Sequence, residues 1–116
     1  MDGSCHCGAA GWRFEGRPQS ATTCNCSVCR RHGALWAYGF EGEDLEVLGA
    51  TATYAWGDRH LAFHFCARCA CVVAWLAIER GQDGRRYGGV NLRLAQDPLE
   101  VAAVPIIRHD TESRSD

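Results

Sequence analysis

The stretch Leu61-Ala62-Phe63-His64-Phe65-Cys66-Ala67-Arg68-Cys69 joins two patterns. Leu61, Phe63 and Phe65 alternate with Ala62 and His64, the period of two that marks a strand with one apolar face. Cys66 and Cys69 follow at the strand end as a metal knuckle. Sulfurs this close in sequence converge on one ion, whereas a disulfide between them would strain its preferred geometry. The stretch therefore predicts a β-strand that delivers two thiolates.

Outward from it, Leu45 to Leu48 and Thr51 to Trp56 read as strands, with turns at Glu41 to Asp44 and Gly57-Asp58. Trp36, Tyr38 and Phe40 share one face of a strand that starts near Ala34. Val72 to Ile78 is apolar on both faces and is expected to be the most buried strand, and Gly81 to Gly84 is a loop leading into a strand over Tyr87 to Leu94. Together these segments read as a β meander. Gly3 to Phe14 suits two short strands around a tight turn, followed by a loop over Gly16 to Ala21. Ser27 caps and Gly33 ends one helical turn over Val28 to His32. Asp97-Pro98 breaks the chain before a last strand near Val104 to Arg108. The fold class expected is mainly β with little helix: one domain over residues 1–109 and a polar C-terminal tail over 110–116.

A chain of 116 residues is sized for one domain, and it hides only about 65% of its unfolded surface, so metals or cross-links would help it. Twelve basic residues, all arginine, stand against 14 acidic ones, a net charge of −2. Adjacent basic residues occur only as Arg30-Arg31 and Arg85-Arg86, which is no nucleic-acid footprint. The longest apolar run, Cys69 to Ile78, is too short for a membrane span. Met1-Asp2-Gly3-Ser4 shows no leader-like charge or apolar stretch. The expectation is a soluble, cytoplasmic protein, with neither nucleic acid nor membrane as partner. In a reducing compartment, eight cysteines mean metal ligation or thiol chemistry rather than disulfides.

Seven of the eight fall into three groups: Cys5 and Cys7; Cys24, Cys26 and Cys29; Cys66 and Cys69. Zinc is the default ion for such sites, with iron as the other candidate. Seven ligands are one short of two closed tetrahedra. Pairing Cys5 and Cys7 with Cys66 and Cys69 makes one four-thiolate site and leaves the triplet. Three protein ligands and one free position is the arrangement that catalytic zinc uses. The triplet equally admits closure by His32, by Cys71 or by water. A site linking residue 7 to residue 66 closes a 59-residue loop, whose length term is about 3 to 4 kcal/mol.

The ordered motifs Gly3-Ser4-Cys5-His6-Cys7-Gly8-Ala9, Cys24-Asn25-Cys26-Ser27-Val28-Cys29-Arg30-Arg31 and Phe65-Cys66-Ala67-Arg68-Cys69 resemble the glutathione-dependent formaldehyde-activating enzyme family, which also includes centromere protein V. The resemblance covers about residues 3 to 109. It implies a β-tent fold, a structural zinc on Cys5, Cys7, Cys66 and Cys69, and a second, catalytic or exchangeable zinc on Cys24, Cys26 and Cys29. The activity implied is that of a carbon–sulfur lyase: addition of the glutathione thiol to formaldehyde, or its reversal. Its substrates are a small-molecule thiol and a small aldehyde. Chemically, an open three-thiolate zinc deprotonates an incoming thiol into a nucleophile for a carbonyl.

Arg30 is the residue expected to offset the charge of the thiolates or to hold a substrate carboxylate, with Arg31 solvated. Two departures from the family pattern stand out. Ala70 replaces the glycine usual after the last knuckle cysteine, at a cost of roughly 1 kcal/mol if the position needs a positive φ. Cys71 is an extra thiol, expected to be a buried strand residue. His6 and His32 are expected beside the metals rather than on them, and His60 and His64 as exposed residues of one strand face. His109 has no assigned role. Trp12, Trp36, Tyr38, Trp56 and Trp75 are expected in the core, with one or two of them lining a cleft. Two other functions fit the residues: a non-catalytic zinc domain for partner binding, and a methionine sulfoxide reductase-like redox enzyme that uses Cys71.

Overall fold

The computed structural model describes residues 1–110. Its strands are β1 (Asp2–Ser4), β2 (Ala10–Phe14), β3 (Ala21–Cys24), β4 (Trp36–Phe40), β5 (Leu45–Gly49), β6 (Thr51–Tyr54), β7 (Leu61–Cys66), β8 (Val72–Ala77), β9 (Tyr87–Asn91) and β10 (Ile106–His109). Two short helices, α1 (Ser27–His32) and α2 (Pro98–Ala102), and a 3-10 turn over Leu92–Leu94 complete the described residues. The architecture is mainly β, as the alternation of apolar residues requires.

The strands form two sheets. β1, β2 and β5 make a three-stranded antiparallel sheet, and a seven-stranded sheet runs in the order β10-β3-β4-β9-β8-β7-β6. All neighbours in the larger sheet are antiparallel except β10, which lies parallel to β3. The core lies between the two sheets: Trp12 of β2, Leu45 of β5, Val73 and Leu76 of β8 and Val90 of β9 are all buried in one cluster. Asn91, the one buried polar side chain among the described residues, joins the layers. Its Oδ1 accepts from the Leu35 and Arg93 amides, its Nδ2 donates to the Val72 carbonyl, and its own carbonyl accepts from the Trp12 indole at 2.9 Å. A buried amide with every group paired adds specificity to an apolar core at little cost.

Several expectations need correction. The meander holds for β6, β7, β8 and β9, but β5 leaves it to pair with β2. β3 was not expected; it starts where the predicted loop ends and is defined by partners remote in sequence, β4 and β10. The strand expected over Tyr87 to Leu94 stops at Asn91, whose side chain accepts from the Arg93 amide and turns the chain. Asp97-Pro98 starts a helix: Asp97 caps α2 through the Leu99 amide, and proline occupies the first turn, where its missing N–H has no cost. The cap of α1 is Cys26, not Ser27, while Gly33 ends it at φ 66° as expected. β9 is buried over four of its five residues, and Ile78, expected in the most buried strand, lies past β8 and is exposed. Of the tail expected over 110–116, residues 111–116 lie outside the described residues.

Candidate functional site

The two sheets are joined where β1 turns into β2 and β7 turns into β8. Cys5 and Cys7 sit on the first turn, Cys66 and Cys69 on the second, and their four sulfurs all lie within 4.8 Å of one another. The knuckle is held by the Ala70 amide on the Cys66 carbonyl at 2.8 Å and the Cys66 amide on the Cys71 carbonyl at 3.0 Å. The Arg68 and Ala10 amides point at the Cys66 and Cys5 sulfurs, at 3.4 and 3.3 Å. The backbone N–H of Cys71, then that of Cys7, holds the Cys69 thiol down at about 5. Cys7 is pushed the other way, to about 11: the Ala9 amide pulls it down, but the Cys66 sulfur, burial and Cys5 outweigh that. Four thiols so close cannot all ionise without a cation among them.

Zinc fits this donor set. Sulfurs at about 2.3 Å from one zinc stand about 3.8 Å apart in a tetrahedron. Cys5 to Cys7 is 3.7 Å and Cys7 to Cys66 is 3.5 Å. All eight cysteines are free of disulfides. Ala70, directly after the tetrad, has a φ of 68°, the left-handed conformation that glycine adopts without strain.

The second group is built by one short segment. Cys24 ends β3, Cys26 caps α1 and Cys29 is on its first turn, and their sulfurs also lie within 4.8 Å of one another. All three residues are partly exposed, unlike Cys5 and Cys66, which are buried. Burial raises the Cys29 and Cys24 thiols; at Cys26 it is outweighed by the amide and sulfur of Cys29, so that thiol is lowered. The Trp36 indole N–H is buried without a hydrogen-bond partner and lies close enough to Cys29 to pull that thiol down against the effect of burial. Neither His32 nor Cys71 joins the triplet. His32 instead packs edge-on against Phe63 at 5.0 Å, and Cys71, partly buried, lies beside Cys69.

The triplet forms part of the walls of two hollows. A cleft of about 550 Å³ opens on one side, with Trp36, Tyr38, Trp56, Phe63 and Trp75 around Cys24, Cys26 and Cys29. A smaller hollow of about 260 Å³ on the other side touches Cys24 and Cys29 and carries Arg30, Arg93 and Arg108. Arg30 and Arg31 diverge, because Arg31 bonds back along α1 to the Ser27 carbonyl at 2.9 Å. Trp12 and Trp36 are core residues, as expected, but Tyr38 and Trp56 are over a third exposed, and the cleft takes four of the five aromatics. His60 is exposed as expected; His64 is not, being half-buried and hydrogen-bonded to Thr51 at 3.0 Å. His6 is exposed beside the tetrad, and His109 lies in β10 opposite Cys24.

The sequence profile of the glutathione-dependent formaldehyde-activating enzymes matches residues 1–102, which contain both cysteine groups. The chain belongs to that family. A Halomonas elongata protein bearing the name of a glutathione-dependent formaldehyde-activating enzyme is 33% identical in an alignment 88 residues long that covers 63% of this chain. The chain spans about half of that relative, 54% of its length. A crystal structure of a Rhodobacter sphaeroides protein superposes with a TM-score of 0.69 at 31% identity, over 92% of this chain and all of the other. Arg93 and Arg108 had no role in the sequence reading; the tertiary structure brings them from the far end of the chain into the hollow that Arg30 lines. No helix among the described residues is long and apolar enough to cross a membrane.

Proposed function

We propose that residues 1–109 form one zinc-binding unit of a carbon–sulfur lyase-type enzyme, which adds a glutathione-like thiol to a small aldehyde or removes it. One observation carries this reading: three mutually close, partly exposed sulfurs in the wall of a 550 Å³ cleft, beside a separate group of four. In this assignment Cys5, Cys7, Cys66 and Cys69 hold a structural zinc, and Cys24, Cys26 and Cys29 hold a catalytic one. When bound to three thiolates, zinc offers a fourth position at which a thiol becomes acidic.

The chain's own residues do the rest. Arg30 binds a carboxylate of the thiol substrate in the basic hollow, helped by Arg93 and Arg108. The Trp36 N–H stabilises charge on the Cys29 sulfur. Tyr38 is protonated at neutral pH, as any ordinary phenol is, and burial, then the neighbouring Cys24, push it further up, to about 12. It is the donor for the oxygen of the carbonyl as that oxygen gains charge. In the addition, the carbon–sulfur bond forms as the carbonyl π pair moves to oxygen, and the thiol's proton ends on that oxygen. Cleavage is the reverse, and neither direction is a redox step.

Metal analysis together with a glutathione–formaldehyde assay tests the reading. The expectation is about two zinc per chain, falling to about one in Cys26→Ser with the fold intact and the catalysed reaction lost. Fewer than one zinc in the wild type, unfolding of Cys26→Ser, or full activity in that variant overturns it.

A further inference from the structure

The aromatic cleft is far larger than formaldehyde, whose two heavy atoms need little more than the space of one water molecule, about 30 Å³. Its volume, about 550 Å³, lies in the range of sites that bury whole organic ligands. It is also a built surface. Tyr38 of β4 and Trp75 of β8 both stand in register with Gly89 of β9, on either side of it. A Cβ at Gly89 would come within 2.8 Å of the Trp75 indole nitrogen and 3.1 Å of Tyr38, so only glycine lets these two rings approach as they do. They meet edge-on with centroids 5.9 Å apart. Trp56, on the loop before β7, faces the same space and is 39% exposed.

Charge divides the two hollows that share Cys24 and Cys29. The basic one holds Arg30, Arg93, whose Nε donates to the Gly33 carbonyl at 2.7 Å, and Arg108, which pairs with Asp110 at 3.4 Å, so its net charge is positive. The aromatic one is lined by Asp58 and His60, which pair at 3.2 Å, and by no arginine. An anionic thiol is therefore drawn to the first, and the second offers it no cation. The second offers instead ring faces and edges, which prefer another aromatic ring.

We propose that the carbonyl substrate is a ring-bearing aldehyde, seated among Tyr38, Trp56 and Trp75, while an anionic thiol approaches the cysteine triplet from the arginine side. This rests on the thiol–aldehyde reading of the triplet and names the substrate class of that same site. The carbon–sulfur bond forms at the aldehyde carbon, the carbonyl electron pair goes to oxygen, and oxygen takes the proton lost by sulfur.

The test uses the full chain loaded with zinc, with glutathione and either benzaldehyde or formaldehyde, followed by stopped-flow absorbance. Quenching of tryptophan fluorescence by benzyl alcohol, which cannot react, measures ring binding separately. Benzaldehyde is expected to have the higher kcat/KM. Trp56→Ala is expected to lower the benzaldehyde-to-formaldehyde ratio about tenfold and to weaken benzyl alcohol binding to the same degree, and Trp56→Phe to restore both. Trp56 lies on an exposed loop, so the variant folds, which its melting curve checks. Formaldehyde as the better substrate, or a ratio unchanged in Trp56→Ala, overturns the proposal. Should neither aldehyde react while benzyl alcohol binds and Trp56→Ala abolishes that binding, the ring subsite stands and the reaction assigned to the triplet falls.

Discussion

Replacing Ala70 by glycine should make the protein more stable. Ala70 has a φ of 68°, where a Cβ crowds the following carbonyl oxygen at a cost of roughly 1 to 2 kcal/mol. Its side chain is exposed, so removing the methyl forfeits no packing, and its amide keeps the 2.8 Å bond to the Cys66 carbonyl. Against the relief stands the greater freedom of glycine in the unfolded chain, about 0.4 to 1 kcal/mol. The difference is a net gain of about 1 kcal/mol, which for a chain of this size raises Tm by about 4 °C. The assay is urea and thermal unfolding of zinc-loaded wild type and Ala70→Gly, with metal content measured in both. Equal zinc and a Tm that is unchanged or lower in the variant would mean that the knuckle does not strain this residue. A second check is Ala70→Val, in which a branched side chain at the same φ must lower the midpoint.

Cys66→Ser should abolish cooperative unfolding and the native circular dichroism spectrum, because Cys66 is buried and its tetrad joins the two sheets; a cooperative melt near the wild-type midpoint would contradict this. His32→Phe should raise stability at pH 7 by about 1 kcal/mol, since it removes a buried nitrogen without a partner and keeps a ring against Phe63. The same variant fixes a sign. Burial lowers the His32 pKa below 6.5, so as pH falls past 6.5 the unfolded chain binds the proton first and stability is lost; wild type should lose more than the variant over that interval in pH-dependent melts. Arg30→Ala should raise the KM for glutathione about fivefold, an exposed charge-assisted contact being worth little more, whereas Arg31→Ala should leave it within about twofold, as steady-state kinetics would register.

Much of the fold was legible because it is local. The alternation at Leu61, Phe63 and Phe65, the Cys66–Cys69 knuckle and Gly33 after α1 each carry their meaning within a few residues, so strands, knuckle and helix end were all readable. β3 and the switch of β5 to the smaller sheet were not, because pairing depends on partners far along the chain. The 3-10 turn and α2 were missed for another reason: Asn91 and Asp97 act through side-chain bonds to the backbone that compete with the strand and loop patterns around them.

At the site the division is equally physical. Spacing grouped the sulfurs as Cys5 with Cys7, Cys24 with Cys26 and Cys29, and Cys66 with Cys69, since close ligands converge, and the family resemblance marked Ala70 as a residue out of place. The folded chain brings the first and last of these groups together, keeps His32 and Cys71 apart from the triplet, sets Arg93 and Arg108 in one hollow with Arg30, and opens the aromatics expected in the core into a cleft. Those outcomes turn on which faces of distant strands meet over Gly89 and on where β10 docks beside β3. Long-range packing sets both, and no local pattern encodes it.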